Sequence, residues 1–415
     1  MQDMHKDANF IIKSILADNA PESAVKSALA AYNFKGNIHM IAIGKAAWTM
    51  ASAAHDFLGE MLARGIVVTK YGHSMGPLPK CRIYEAAHPI SDQNTINATH
   101  ECIKLAESLA ENDELLFLVS GGGSALFEHP LDGISLEDIQ SITGRLLAAG
   151  ADIVEINTIR KRFSAVKAGR FAQIAAPANI FAVILSDVLG DRLDSIASGP
   201  TAQDASTVQD AVKIAEKYGL RLTPLQQKYL SQETPKAINN AKHTIIGSVR
   251  TLCQSAASAA AQLGYAPTIL TTALSCEAAH AGSFLAAIAA DTAARRNSFK
   301  PPCAIIAGGE TVVTLKGRGM GGRNQEMALA AAKAIAGLEN ILFFSLGSDG
   351  TDGPTDAAGG MVDGHTAAKI KASGIDIDKA LANNDSYNAL KAAGVLIHTG
   401  PTGTNVNDVA VILCR

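Results

Sequence analysis

Leu115-Leu116-Phe117-Leu118-Val119-Ser120-Gly121-Gly122-Gly123-Ser124 sets an uninterrupted apolar run directly against a glycine cluster. An apolar run without alternation predicts a strand buried on both faces, as in a parallel sheet covered by helices. The glycines predict a turn at its carboxyl end, where backbone N–H groups come close to a ligand with no Cβ in the way.

The same device recurs on either side. Ile38–Ile43 runs into Gly44-Lys45, Gly65–Thr69 reads as the next strand, and Ile180–Leu185 runs into Ser186-Asp187. Helical patterns lie between them, including Asp7–Ala31 and Ala46–Leu58. A polar stretch, Lys217–Ala241, carries Pro224, Pro235 and a Gln-rich run, and reads as a boundary. The pattern restarts at Thr244–Ile246 and continues through Thr268–Leu270, Cys303–Ile306, Ile341–Ser345, Val395–Ile397 and Val409–Leu413. The expectation is two α/β domains, residues 1–238 and 239–415. The first is Rossmann-like with a mainly parallel sheet and the second has a mixed sheet. Strand ends rich in glycine and polar residues converge, on the economical reading, in a cleft between the two.

Size agrees, since 415 residues exceed the ~250–300 at which a single core stops growing. With 47% hydrophobic residues the chain is not disordered. A net charge of -3 and 5% aromatics leave neither a basic footprint nor stacking platforms for nucleic acid. The start, Met1–Asn9, lacks the basic and apolar regions of a secretion signal, and no apolar run reaches the ~18 residues of a membrane span. A cytoplasmic monomer or homodimer is expected. The six cysteines form no CxxC pair and the eleven histidines no HExxH spacing, so free thiols and no protein-held transition metal are expected.

The densest chemistry lies at Gly308-Gly309-Glu310 … Gly317-Arg318-Gly319-Met320-Gly321-Gly322-Arg323-Asn324-Gln325-Glu326. Within it are six glycines, two arginines and two carboxylates, just before an Ala-rich helix. A helix start offers unpaired N–H groups to an anion, and arginine grips phosphate or carboxylate through a planar fork. Residues 317–322 spell G-x-G-x-x-G, but late in the chain and with Ile341–Phe344 where the acid of a dinucleotide site belongs. Gly44-Lys45-Ala46 lacks the Ser or Thr of a phosphate loop, and Gly122-Gly123-Ser124-Ala125-Leu126 lacks the last glycine of a nucleophile elbow.

Lys45 stands between a buried strand and a helix start, where the dipole disfavours a cation unless an anion is bound. Asp187 reads equally as a site carboxylate or a helix cap, and Ser195–Thr201 as a phosphate-wrapping loop or an ordinary turn. Gly347–Asp356 carries three aspartates after a strand and suits a hard cation shared with a nucleotide. His88-Pro89 and Asn383–Tyr387 read as ligand contacts or as turns. The basic run Arg160, Lys161, Arg162, Lys167 and Arg170 reads as a solvated helix face with one or two members turned inward.

Taken in order, these segments resemble the MOFRL-domain glycerate 2-kinases over nearly the whole chain. The resemblance rests on Gly44–Ala47, Val119–Leu126, Ser164–Arg170, Leu185–Asp191, Ile196–Thr201, Gly308–Glu326, Gly347–Gly360 and Thr402–Asp408. It implies transfer of a phosphoryl group from ATP, with Mg2+, to D-glycerate, giving 2-phosphoglycerate. It also implies catalytic roles for Lys45 and Arg323, and site acids at Asp187, Glu310 and Asp349. On that footing Lys45 and Arg323 are expected on the transferring phosphate, and Asp187 on the attacking hydroxyl. Ser120, Gly121, Gly122, Gly123, Ser124, Gly319, Gly321 and Gly322 are expected around the nucleotide phosphates. Glu310 and Asp349 are expected on the metal, and Arg160, Lys167 or Arg170 on the glycerate carboxylate. Some relatives bear the name hydroxypyruvate reductase, which gives a nicotinamide-dependent alternative. A non-catalytic sensor of sugar acids is a third reading.

Overall fold

The computed structural model describes residues 2–415. They fall into two compact units, one of Pro21–Ile246 and one of Met1–Ala20 with Gly247–Arg415.

The first unit is built on β1 (Asn37–Ile43), β2 (Leu62–Lys70), β3 (Cys81–Ala86), β4 (Asp113–Val119), β5 (Asn179–Leu185) and β6 (Ala241–Gly247). Their order is β3-β2-β1-β4-β5-β6, and the pairs among β1 to β5 are all parallel. The six residues Ile38–Ile43 and the last five of β4 are buried, as expected for central strands. The register is flush: Ile43 pairs with both Val68 and Val119, and Val119 with Ile184. The turns after β1, β4 and β5 therefore leave the sheet at one end. The chain winds outward in opposite directions from β1 and β4, which makes their boundary the topological switch point where such sheets bind ligands. A separate helical core packs Ile139, Ile142, Leu146, Ile156, Ile159 and Phe163.

The second unit contains β7 (Ala266–Leu274), β8 (Cys303–Gly309), β9 (Ile341–Gly347), β10 (Gly359–Asp363), β11 (Leu396–Ile397) and β12 (Asp408–Cys414), ordered β11-β10-β9-β12-β8-β7. Strands β7 and β8 are parallel. Strand β12 runs antiparallel between β8 and β9, so its first residue, Asp408, pairs with both Gly309 and Gly347. That reversal brings the start of the last strand beside the carboxyl ends of two others.

The units divide the chain differently from the expected 1–238 and 239–415. The polar stretch read as a boundary holds the helix Pro224–Leu230, capped by Thr223, and β6 beyond it is an edge strand of the first sheet. The helix expected over Asp7–Ala31 is two helices, Gln2–Asp18 and Pro21–Ala30, one in each unit. Asn19 turns its amide back to the Ile15 carbonyl at 2.8 Å and to Ser255 Oγ at 3.2 Å. Pro21 then occupies the first helical position, where its missing N–H costs nothing.

Candidate active site

In the first unit the turns after β1 and β4 are stitched together. Gly44 has φ +113, and a Cβ there would lie 2.3 Å from Ser120 Oγ, so only glycine fits. The Lys45 N–H donates to the Gly121 carbonyl at 2.9 Å. Ser120 Oγ accepts from the Ala46 N–H at 3.1 Å and donates to the Ile43 carbonyl at 3.2 Å. The hydroxyl of Ser120 is therefore committed to the scaffold.

Three side chains gather over the next two glycines. A Cβ on Gly121 would lie 2.4 Å from Asp187 Oδ2. A Cβ on Gly122 would lie 2.9 Å from the His88 ring and 3.3 Å from Lys45 Cγ. The structure thus brings Lys45, Asp187, Gly121 and Gly122 together at the switch point and adds His88. Among the described residues, Lys45 Nζ has no hydrogen-bond or carboxylate partner, and the Gly121 and Gly122 N–H groups donate to nothing. Burial, then Lys45, Lys70 and His73, push the His88 pKa down to about 4. The imidazole is neutral at pH 7. Because its folded pKa lies below the ordinary 6.5, the folded state binds fewer protons between those values. Urea midpoints of the wild type are therefore expected to fall, relative to His88→Asn, as pH drops from 6.5 to 4. Parallel midpoints would remove His88 as the cause.

The expectation of a solvated face for the basic run does not hold. Lys161, Arg162 and Lys167 are buried. Lys161 Nζ meets Asp204 at 3.0 Å, and Arg162 donates to the Gln232 and Ser206 carbonyls. Arg170 donates to the carbonyls of Lys161 and Ser164, and Lys167 to those of Ser124 and Phe127. Arg160 keeps 16% exposure and touches the Ser124 carbonyl and Glu128 at 3.3 and 3.4 Å. Ser124 Oγ lies 2.8 Å from Ser198 Oγ.

In the second unit Arg323 is the hub. Its Nε lies 2.6 Å from Asp408 Oδ2, its Nη2 3.2 Å from Asp408 Oδ1, and its Nη1 2.7 Å from Glu310 Oε1. Burial works against the guanidinium charge, but Asp408 and Glu310 outweigh it and raise its proton affinity. Asp408 was not among the expected site residues. Its position at the head of β12 is what brings it to Arg323.

The helix Arg323–Ala334 does not keep an open start for an anion. Asp352 fills it, accepting from the Asn324 N–H at 3.1 Å and the Gln325 N–H at 2.8 Å. The glycine loop ahead of it lies against Asn383–Ser386. The N–H groups of Lys316 and Gly317 go to Asn384 Oδ1, that of Arg318 to Asn383 Oδ1, that of Gly319 to the Asn383 carbonyl and that of Met320 to Asp385 Oδ1. Gly319 is thus already used. Gly321 and Gly322 donate to nothing among the described residues. Asp352→Ala is expected to cost about 2 kcal/mol, the upper range for a lost cap, and Asp352→Asn less because one acceptor survives. Urea unfolding of wild type and the two variants measures the difference, and wild-type stability in Asp352→Ala would show that the cap contributes nothing.

Glu310 is half exposed beside Arg323, and Asp349 Oδ1 accepts from Thr351 N–H at 3.0 Å. Among the described residues no group of three or more His, Cys, Asp or Glu is placed to hold a metal ion. Magnesium bound through one or two carboxylates and substrate phosphates asks for fewer protein ligands.

Two family models match the chain, "Domain of unknown function (DUF4147)" over residues 7–231 and "MOFRL family" over residues 303–408. The D-glycerate 2-kinase of Thermotoga maritima is 52% identical over 99% of this chain and 98% of its own length. The chain belongs to the MOFRL glycerate kinase family. A second relative, the glycerate 2-kinase of Pyrococcus horikoshii, is 43% identical over 92% of this chain and 88% of its own. A third, from Agrobacterium vitis, is named for hydroxypyruvate reductase and is 39% identical over 91% and 99%. The crystal structure of a Thermotoga maritima glycerate kinase superposes with a TM-score of 0.97 at 51% identity, over 100% of both chains. The two-sheet architecture described above is thus that of a MOFRL glycerate kinase.

Proposed function

We propose that this chain transfers the γ-phosphoryl group of ATP to D-glycerate, giving 2-phospho-D-glycerate. The observation that carries the reading is the switch-point cluster, where the Lys45 side chain lies against Gly122 and Asp187 against Gly121, and where, among the described residues, neither the Lys45 ammonium nor the two glycine N–H groups has a hydrogen-bond partner. Phosphoryl transfer asks mainly for positioned positive charge and an oriented nucleophile. Gly121 and Gly122 offer N–H groups to phosphate oxygens, and Gly321 and Gly322 offer two more. Lys45 and Arg323 neutralise charge on the group in transfer. Asp187 orients the attacking hydroxyl and accepts its proton. Magnesium, when bound through Glu310 and Asp349, adds charge neutralisation at the phosphates. Of the three basic residues considered for the glycerate carboxylate, Arg160 is favoured, because its contacts at 3.3 and 3.4 Å are long and its side chain keeps some exposure, whereas Lys167 is fully buried and Lys167 and Arg170 each donate to two backbone carbonyls at 3.0 Å or less.

The reductase alternative finds less support, since all four N–H groups of Gly317–Met320 are occupied by Asn383–Asp385. No described helix is long and apolar enough to cross a membrane. We place the enzyme in the cytoplasm, where both substrates are available.

Phosphorus NMR after incubation with D-glycerate, ATP and Mg2+ is expected to show ADP and a 2-phosphoglycerate resonance. A 3-phosphoglycerate resonance would overturn the regiochemistry. Consumption of NADH with hydroxypyruvate, without ADP formation, would replace the kinase reading by the reductase one.

A further inference from the structure

We propose that Lys167 is a positioning residue that holds the Ser120–Gly122 turn in its phosphate-ready shape, not a ligand of the glycerate carboxylate. The proposal rests on the reading above that this turn takes nucleotide phosphate.

The turn leads into a helix of only four residues, Gly123–Leu126, entered through Gly122 in the left-handed region. One turn of helix is not stable by itself: the Gly123 carbonyl accepts from the Phe127 N–H at 3.0 Å, and the carbonyls after it must find partners outside the helix. Ser91 Oγ donates to the Ala125 carbonyl, and Lys167 holds the helix and its cap, with Nζ donating to the Ser124 carbonyl at 2.8 Å and the Phe127 carbonyl at 3.0 Å. A cation at a helix carboxyl end is also favoured by the dipole. The side chain is 0% exposed and Glu128, 1% exposed, lies 3.5 Å away. Arg160 reaches the same Ser124 carbonyl and the same carboxylate oxygen. This buried group of two cations and one anion therefore converges on the element that fixes the glycine turn.

The backbone beside Lys167 holds a second loop. Ala168 and Gly169 have φ of +56 and +81, and their N–H groups donate to the Ser198 and Gly199 carbonyls at 3.0 and 2.7 Å. Ala197 and Ser198 are themselves at positive φ, a conformation that neighbouring contacts must impose on residues with a Cβ. Ser198 Oγ then meets Ser124 Oγ. Lys167–Gly169 thus ties the glycine turn to the Ser195–Thr201 loop, and a change at Lys167 is transmitted to both.

The test uses the full chain carrying Lys167→Met, which keeps length and removes charge. Because Glu128 is left with less compensation, the double variant Lys167→Met/Glu128→Gln is prepared in parallel in case the single one fails to fold. Hydrogen exchange of residues 120–127 is expected to accelerate at least tenfold. KM for ATP is expected to rise about tenfold while KM for D-glycerate stays within twofold. Wild-type exchange rates over 120–127, or an unchanged KM for ATP, would overturn the proposal. A tenfold rise in KM for D-glycerate alone would return Lys167 to the carboxylate. If wild-type enzyme turns over no ATP, the kinase reading falls, but the exchange measurement still decides whether Lys167 positions the turn.

Discussion

Arg323→Ala is expected to lower kcat by about 10²–10³, the scale for losing one donor aimed at transition-state charge, and to destabilise the fold as well. The second effect follows from Asp408. Its side chain is 7% exposed and faces Arg323 through both oxygens. Burial already pushes the Asp408 pKa up to about 7 and Arg323 is what holds it down, so without the arginine the buried carboxyl takes up a proton, and the loss falls below the about 3–5 kcal/mol of a fully buried broken pair. Stability and turnover should then separate in the double variant Arg323→Ala/Asp408→Ala. Stability should return most of the way, because no carboxylate is left buried alone, while turnover stays low. A double-mutant cycle in urea gives the coupling energy of the pair. Additive stability losses would show that the ion pair is energetically idle. Recovery of turnover in the double variant would show that Arg323 matters only as a counter-ion for Asp408.

Lys45→Met is expected to behave differently. Turnover should again fall by about 10² or more, but stability should change by no more than about 0.5 kcal/mol. Among the described residues the Lys45 ammonium has no partner to lose, and the nearby groups that depress the His88 pKa are Lys45 itself, Lys70 and His73. The two substitutions therefore form a matched contrast, in which both lower turnover and only one weakens the fold. Thermal or chemical denaturation alongside steady-state kinetics decides it. A Lys45→Met protein that turns over like wild type would remove this lysine from the mechanism.

Much of the architecture was legible because burial writes itself into composition. Central strands such as Leu115–Val119 and Ile180–Leu185 read correctly because both of their faces are apolar. Cys81–Ala86 escaped notice because an edge strand that carries Arg82 and Glu85 looks like a loop. Gly359–Asp363 escaped because its glycines signal a turn. In the sheet, Gly359 is glycine because a Cβ there would lie 1.9 Å from the Ser345 carbonyl oxygen.

The site was half legible for a related reason. Lys45 and Asp187 follow strands directly, so local sequence places them. Asp408 comes to Arg323 only because β12 runs backward between β8 and β9, and no local pattern states that order. The glycines of 317–322 were read as open to a ligand, yet most of that density serves close packing against Asn383–Ser386. Burial of Lys161, Arg162 and Lys167 likewise depends on carbonyls and carboxylates distant in the chain, which a run of basic letters does not reveal.

Among the described residues, the helix Gln2–Asp18 takes its main partners from beyond residue 247. Asn19 bonds Ser255 and Thr251, Asp7 bonds Tyr265 and Arg415, and Ile11, Ile12 and Ile15 are buried. On the ribosome, at ~5–20 residues per second, this greasy helix waits on the order of tens of seconds while the whole Pro21–Ile246 unit emerges. The sheet it serves stays open until β12, its central strand, has left the exit tunnel. Nascent chains are therefore exposed to misassociation for most of translation, and a chaperone that shields an early apolar helix would act on this protein before either half of the second unit could protect the other.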